Sequence, residues 1–183
     1  HTTFIAPQWN ASVDQNYHTT LTYASQKVIT EETKTPTSVL LELFTNRFTH
    51  LVEEMGALLE RTSFSVNVKE RLDFSCALLD QNGYLVANAP HIPVHLGSLG
   101  ICVREVAKTM HMQSGDVIIT NHPKYGGSHL PDISLIAPVY DEEHQLLGYV
   151  ANRAHHAEVG GKVPGSMPPD ATTLEEEGVV TVS

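Results

Sequence analysis

Two short segments rich in histidine, glycine and proline constrain this sequence most. The first reads NHPKYGGSHLPD at residues 121–132, and the second reads NRAHHAEVGG at residues 152–161. Together they hold four histidines, two carboxylates and two glycine pairs. Packing alone does not require this concentration of polar side chains, so we expect a functional site here.

The chain between the two segments predicts that they lie close together. Apolar runs at residues 133–140 and 146–150 flank an acidic turn, a pattern that is typical of a β-hairpin. The first segment ends where this hairpin begins, and the second starts where it ends. Because hairpin strands are antiparallel, both segments are expected at the same end of the sheet.

A long helix is predicted near the start of the main domain. Thr35 can act as its N-cap, and Pro36 suits the first helical position. Apolar residues then recur at steps of three and four. They are Leu40, Phe44, Phe48, Leu51, Met55 and Leu58. This spacing predicts a helix over residues 36–61 with one apolar face.

Other elements follow in alternation. Residues 74–87 predict a second hairpin around an Asn-Gly turn, and residues 117–120 predict a buried strand. Ser98 can cap a second helix that carries apolar residues as far as Met110. The predicted fold class is therefore α+β, with antiparallel hairpins packed against two main helices.

The N-terminal region has a different organisation. Residues 1–26 carry short apolar pieces around a polar turn, which predicts a separate β-hairpin. Residues 27–36 are polar and end in Thr-Pro, as linkers often do. We expect the domain boundary there and the main domain over residues 37–183.

Composition argues against several partners and locations. Eleven Lys and Arg against 21 Asp and Glu give a formal net charge of -10, which repels nucleic acid and anionic membranes. No apolar run approaches the roughly 20 residues of a membrane span, and no signal peptide is recognisable. Cys76 and Cys102 lie in apolar surroundings that are typical of core thiols in a reducing compartment. We therefore expect a cytoplasmic protein without nucleic-acid or membrane partners.

The two histidine-rich segments offer ligands for a divalent ion. Imidazole nitrogens and a carboxylate oxygen suit zinc, manganese or ferrous iron, and such ions assist the hydrolysis of unreactive C–N bonds. The alternative is a set of loop histidines that hydrogen-bond to the backbone. Neighbouring residues of a strand point to opposite faces, so only one of His155 and His156 is expected to bind an ion directly.

Three further residues are candidates for binding a substrate. His91 and His95 lie in a proline-rich loop that leads into a helix, where unpaired amides and the helix dipole favour anions. A structural role, in which both rings satisfy loop carbonyls, stays equally open. Arg71 belongs to a charged cluster at residues 69–71 that is typical of a solvated loop, although a guanidinium can also clamp a carboxylate or phosphate.

Several uncommon strings occur in an order that resembles the start of the hydantoinase B/5-oxoprolinase family. They are NVKER with DFSCA at 67–77, PHIPVHLGS at 90–98, GGSHLPD at 126–132, NRAHHAE at 152–158 and PGSMPP at 164–169. The resemblance runs from about residue 37 to the end. The Asn-His-Pro at 121–123 is similar to the 5-oxoprolinase branch, whereas hydantoinase-type and acetone-carboxylase-type members carry Asn-Asp-Pro.

The resemblance implies an ATP-dependent hydrolase that opens a cyclic amide such as 5-oxoproline or a hydantoin. It implies that an A-type part, with ATP and magnesium, phosphorylates the lactam oxygen and that the metal-bearing B part hydrolyses the intermediate. The implied metal ligands are His129, Asp132 and His155, with His122 beside them. His156 and Glu158 are the implied catalytic candidates, and Glu158 would orient a ligand or transfer a proton.

The resemblance also implies that the chain is a fragment of a larger enzyme. Residues 3–22 resemble the last hairpin of the hydantoinase A partner, as at the A-to-B junction of single-chain 5-oxoprolinases. Family B subunits are several hundred residues longer, so we expect this chain to be inactive alone and to work with an A-type domain or subunit in an oligomer. The alternatives are a truncated, non-catalytic interface module and an acetone-carboxylase-type or hydantoinase B subunit.

Overall fold

The structure is a computed structural model that describes residues 5–6, 9–23, 36–89 and 92–181. The chain divides into two compact units, His1–Thr37 and Ser38–Ser183. The first unit contains an antiparallel hairpin of β1 (Trp9–Val13) and β2 (Thr19–Tyr23). Most of the predicted linker, including the proposed cap Thr35, lies outside the described residues.

The second unit is built on a five-stranded antiparallel sheet with strand order β4-β3-β7-β6-β5. The strands are β3 (Phe74–Asp80), β4 (Leu85–Ala89), β5 (Ile118–Thr120), β6 (Asp132–Tyr140) and β7 (Leu146–His155). The helices are α1 (Thr37–Thr62), α2 (Val66–Arg71), α3 (Pro93–Thr109) and α4 (Leu174–Glu177), with a 3-10 helix at Pro123–Tyr125. This arrangement confirms the predicted α+β class.

Alternation along the strands gives the sheet two faces. Helix α3 covers one of them, which we call the α3 face. Its buried core contains Leu99, Cys102, Val103 and Val106 of the helix and Ala77, Leu79, Ile136, Tyr149 and Ala151 of the strands. The opposite side, the α1 face, has a smaller core. This core contains Val52 of α1, Val68 of α2, and Phe74, Cys76, Ala87, Ala89 and Ala154 of the strands.

Two predictions about the helices were wrong. Helix α3 begins at Pro93, after an extended Ile92, and not at Ser98. The proline ring presets the helical backbone at the first position, so the helix starts five residues before the serine that also resembled a cap. The charged cluster at residues 69–71 belongs to the short helix α2, which ends at Leu72 in a left-handed conformation with φ 53°.

Helix α1 does not bury most of the apolar row that its sequence predicts. Its buried residues are Val52 and Gly56. Most of the predicted apolar row is exposed: Leu40, Phe44, Phe48, Leu51 and Leu58. The helix therefore contacts the sheet through a strip beside the row that its periodicity singled out.

In the described part of the chain, no helix has both the length and the apolar character that crossing a bilayer requires.

Candidate metal site

The two histidine-rich segments meet at one end of the β6–β7 hairpin. Asp132 opens β6 and pairs in register with His155, the last residue of β7. The sequence placed His155 after the strand, but β7 continues five residues beyond Val150. His129 comes from the preceding turn, where its carbonyl accepts the Asp132 N–H at 3.1 Å.

Three side-chain atoms from these residues face one another. His129 Nε2 lies 2.9 Å from His155 Nδ1 and 3.3 Å from Asp132 Oδ1, and His155 Nδ1 lies 3.0 Å from the same oxygen. Metal bonds of about 2.0–2.2 Å place neighbouring ligand atoms about 2.8–3.6 Å apart, the shorter distances for octahedral and the longer for tetrahedral angles. The spacing and the donor set of two nitrogens and one oxygen therefore fit a divalent ion with open positions. Among the described residues this is the one such group.

Asp132 is fully buried, yet it is held in the charged form. Burial raises the pKa of a carboxyl group, but hydrogen bonds from His129, His95 and Ser128 outweigh burial and keep the pKa of Asp132 well below its usual range. The Ser128 hydroxyl donates to Oδ2 at 2.6 Å. A carboxylate must be ionised to bind a metal ion, and these hydrogen bonds favour that form.

The three site histidines differ in their surroundings. The hydrogen bond with Asp132 raises the pKa of His129, against the effect of partial burial. Burial lowers the pKa of His156, and the charge of His155 adds to this effect. His155 turns its ring to Asp132, whereas the backbone N–H of His156 donates to Pro131 at 2.8 Å.

A buried polar layer lies next to the site on the α3 face. Arg153 is fully buried, and its Nε donates to Ser134 Oγ at 2.8 Å. Its two other nitrogens donate to Ser98 Oγ and to the Gly126 carbonyl, the latter at 3.2 Å. One guanidinium thus ties helix α3, the glycine turn and strand β6 together. The sequence reasoning gave Arg153 no role, because the predicted strand ended at residue 150 and left this arginine outside it.

Asn121 was also missed. It is buried, and its amide donates to the Leu130 carbonyl at 3.0 Å and to the Val179 carbonyl at 2.8 Å. Its side-chain oxygen accepts the Thr181 N–H at 2.7 Å. Asn121 therefore anchors the turn before Asp132 to a segment near the end of the chain.

The structure places two other predicted site residues outside the three-atom group. His122 Nδ1 accepts the Lys124 N–H at 3.0 Å and so caps the 3-10 helix. The exposed Glu158 accepts bonds from Ser166 Oγ at 2.6 Å and from the N–H groups of Gly160 and Gly165 at 2.8 and 2.9 Å. These bonds, that of Ser166 first, lower the pKa of Glu158. The roles of both residues stay predictions.

The candidates for substrate binding are dispersed. Arg71 is exposed at the end of α2. His95 is buried in the first turn of α3, with Nε2 at 3.2 Å from Asp132 Oδ2. His91 lies outside the described residues. The structure thus links one of the three, His95, directly to the metal-site group.

Comparison with known proteins identifies the family. Residues 37–183 match the family described as hydantoinase B/oxoprolinase. The chain is 54% identical over 147 residues to a 5-oxoprolinase of Saccharomyces cerevisiae, which covers 79% of this chain and 11% of that protein. It is 42% identical over 188 residues to a 5-oxoprolinase of Pestalotiopsis fici, covering 97% and 14%. The chain therefore spans a small part of these relatives.

A solved structure agrees with this assignment. The ATP-dependent caprolactamase of Pseudomonas jessenii is 31% identical, with a TM-score of 0.68 over 81% of this chain and 26% of that one. The resemblance seen in the sequence is confirmed, and the chain belongs to the hydantoinase B/oxoprolinase family.

Proposed function

We propose that this chain is the metal-bearing part of an enzyme that uses ATP to open a cyclic amide by hydrolysis. The observation that carries the proposal is the triangle of His129, Asp132 and His155, whose atoms lie 2.9–3.3 Å apart. The relatives described above, which include 5-oxoprolinases and an ATP-dependent caprolactamase, support the reaction class. A lactam or hydantoin ring is the substrate class that follows.

The three residues have separate tasks in this proposal. A bound zinc, manganese or ferrous ion would supply Lewis-acid polarisation of an amide oxygen and a hydroxide near neutral pH. His129 and His155 would hold it through neutral ring nitrogens, and Asp132 would balance part of its charge. Because Asp132 is fully buried and His155 is largely so, the sheet excludes water behind the site and leaves the His129 side open.

ATP and magnesium belong to an A-type domain or subunit in this proposal. The sequence has no GxxxxGK[ST] or GxGxxG loop that would cradle phosphates. We assign residues 1–26 to the end of an A region and residues 37–183 to a B domain. The similarity to the Pestalotiopsis protein over 97% of the chain supports this order within one polypeptide. The isolated chain is then inactive, and its cytoplasmic location stays a prediction.

One observation favours a second function. The exposed apolar row of α1 would suit an interface module that keeps the fold without the chemistry. Metal binding discriminates between the two, because an interface module has no need to keep a triangle of ligands.

The test is metal binding by the wild type and by single variants of the three ligands. Asp132→Asn preserves the size of the side chain but removes its charge, and His129→Ala and His155→Ala remove one nitrogen each. Each variant should bind zinc or manganese at least about 100-fold more weakly, because changes beyond the ligands already cost about 10–100-fold. Elemental analysis and competition with a chromophoric chelator give the measurement.

The matched control is His144→Ala, which removes an exposed histidine from the β6–β7 turn and should leave metal content unchanged. Equal metal content in the wild type and all three ligand variants would falsify the metal site. With an A-type partner added, the ligand variants should also lose ATP-dependent ring opening. Ring opening by the isolated chain would contradict the assignment of ATP use to the partner.

A further inference from the structure

His95 is buried at the junction of α3, β3 and the candidate metal site. The residue is 2% exposed, so a dissolved substrate has no path to its ring. Its Nε2 lies 3.2 Å from Asp132 Oδ2, and its Nδ1 lies 3.4 Å from Ser75 Oγ. The substrate-binding role that the sequence suggested for His95 therefore does not suit its position, and a role through Asp132 does.

The two oxygens of Asp132 have different neighbours. Oδ1 faces the ring nitrogens of His129 and His155. Oδ2 faces Ser128 Oγ at 2.6 Å and His95 Nε2 at 3.2 Å. An ionised carboxylate only accepts hydrogen bonds, so both neighbours of Oδ2 must be donors. The hydrogen of His95 is thereby assigned to Nε2.

We propose that His95 is a positioning residue that holds Oδ2 of Asp132 and so directs the carboxylate to a metal ion through Oδ1 alone. The inference rests on the metal site proposed above. A carboxylate with two free oxygens can rotate or bind through both, whereas hydrogen bonds to one oxygen fix its orientation. His95 touches neither the ion nor the substrate in this arrangement.

His95 is itself held by elements outside the β6–β7 hairpin. Its backbone N–H donates to the Ile92 carbonyl at 3.1 Å in the first turn of α3. Its other ring nitrogen contacts Ser75, a buried residue of β3 that pairs in register with Arg153. The position of the Asp132 carboxylate therefore depends on where α3 begins, and Pro93 at the first helical position sets that start.

Two amide substitutions test the roles of the two ring nitrogens of His95 separately. In His95→Gln the side-chain NH₂ takes the place of Nε2 and can still donate to Asp132. In His95→Asn the NH₂ takes the place of Nδ1, near Ser75, and does not reach Asp132. Both side chains are uncharged amides, so the pair is matched in polarity. The full 183-residue chain is used, and zinc and manganese dissociation constants are measured by competition with a chromophoric chelator.

The expected result is a difference between the two variants. His95→Asn should bind each ion about 10–100-fold more weakly, and His95→Gln should keep most of the wild-type affinity. The visible spectrum of bound cobalt gives a second readout, because it reports how the carboxylate binds. The spectrum should change in His95→Asn and stay close to wild type in His95→Gln. Because Asn is also one methylene shorter than Gln, the cobalt spectrum, and not the affinity alone, distinguishes positioning of the carboxylate from packing.

Ser128→Ala keeps the test possible if a variant of the buried His95 does not fold. Ser128 is an exposed turn residue that supplies the second donor to Oδ2. Its removal should weaken metal binding in the same direction as His95→Asn, and unchanged affinity would count against the inference. His111→Gln, a change of an exposed histidine outside the site, serves as the control for incidental metal binding.

Three further outcomes separate a failure of the proposed metal site from a failure of the role proposed for His95. A wild-type chain that binds neither ion overturns the metal site and the inference together. A wild-type chain that binds, with both His95 variants unchanged, overturns the inference alone. Equal losses in the Gln and Asn variants also overturn it, because the loss would then follow from disturbed packing and not from the hydrogen at Nε2.

Discussion

The two faces of the sheet differ in a way that their composition does not suggest. On β6, the α3 face presents Asp132, Ser134, Ile136 and Pro138, and all four are buried. The α1 face of the same strand presents Ile133, Leu135, Ala137 and Val139, of which three are half-buried and the last is exposed. The more polar face is therefore the better covered one. Polar side chains are buried there because they satisfy one another, as at Arg153 and Asp132.

The helices show the same contrast. α3 buries Leu99, Cys102, Val103 and Val106 against its face. α1 buries Val52 and Gly56 but leaves a row of leucine and phenylalanine side chains exposed. The spacing of apolar residues identifies the apolar side of a helix, whereas burial depends on which other elements pack against that side. The candidate metal site belongs to the better covered face, where Asp132 is fully buried.

The largest expected difference between the faces is in the free energy of unfolding, measured on one leucine from each face. Leu99 on α3 is 1% exposed, and Leu58 on α1 is 52% exposed. Leu99→Ala should lower the free energy of unfolding by about 2–5 kcal/mol, because it removes apolar contacts and leaves a cavity. Leu58→Ala should change it by no more than about 0.5 kcal/mol. Denaturant titration of both variants gives the measurement.

A similar loss of unfolding free energy in both leucine variants would contradict the expected difference between the two faces. It would mean that the exposed side of α1 is covered when the chain is in solution. Measuring each variant at two protein concentrations shows whether a second molecule supplies that cover, since only then does the stability of Leu58→Ala depend on concentration.

A smaller effect is expected from two neighbours on β7 that point to opposite faces. Arg153→Lys keeps the charge, but one ammonium group cannot reach Ser98, Ser134 and Gly126 together. Leaving a buried acceptor without its donor should cost about 1–3 kcal/mol of unfolding free energy. Asn152→Ala, on the half-covered α1 face, should cost less than about 1 kcal/mol.

Thermal unfolding of the Arg153 and Asn152 variants under identical conditions provides the measurement. If Asn152→Ala proves the more damaging of the two, the polar layer contributes less to stability than its burial indicates. The contrast between the faces would then lie in packing alone. An equal but small loss in both would lead to the same conclusion.

Local sequence patterns predicted the fold class and the meeting of the two histidine-rich segments. The β6–β7 hairpin was recognisable from two apolar runs around an acidic turn. Its antiparallel strands correctly placed His129 and Asp132 near His155. It could not predict the contacts that support them. Asn121 and Thr181 are 60 residues apart in the chain, and Arg153 and Ser98 are 55 apart. No local pattern encodes such pairs.

Two competing local signals explain the wrong start of α3. Pro93 and Ser98 each suit a helix start, one at the first helical position and one as a cap. Choosing between them requires knowing that the first turn packs on the sheet, where His95 meets Asp132. The contact between His95 and Asp132 could not be predicted for the same reason, because the sequence shows a pair of histidines and not the buried carboxylate beside one of them.

The smallest expected difference between the faces is in the rate of thiol labelling, measured on one cysteine from each face. Cys76 and Cys102 are each 1% exposed, but Cys76 lines a cavity of about 240 Å³ on the α1 face beside Met55 and Leu58. Cys102 lies in the closed core of the α3 face. Iodoacetamide should therefore label Cys76 before Cys102, without loss of stability at early times. Mass spectrometry of the labelled chain assigns the sites, and Cys76→Ala and Cys102→Ala are the controls.

The pH dependence sharpens this test, because only the thiolate reacts. Burial raises the pKa of Cys76 to about 11, so the thiolate fraction in the folded chain grows about tenfold per pH unit through the neutral and mildly alkaline range. Labelling of Cys76 should accelerate accordingly up to about pH 10. A plateau near the ordinary thiol pKa of about 8.5 would instead show that labelling requires opening of the chain. In that case the α1 face is closed to the reagent, and the two faces differ less than their burial indicates.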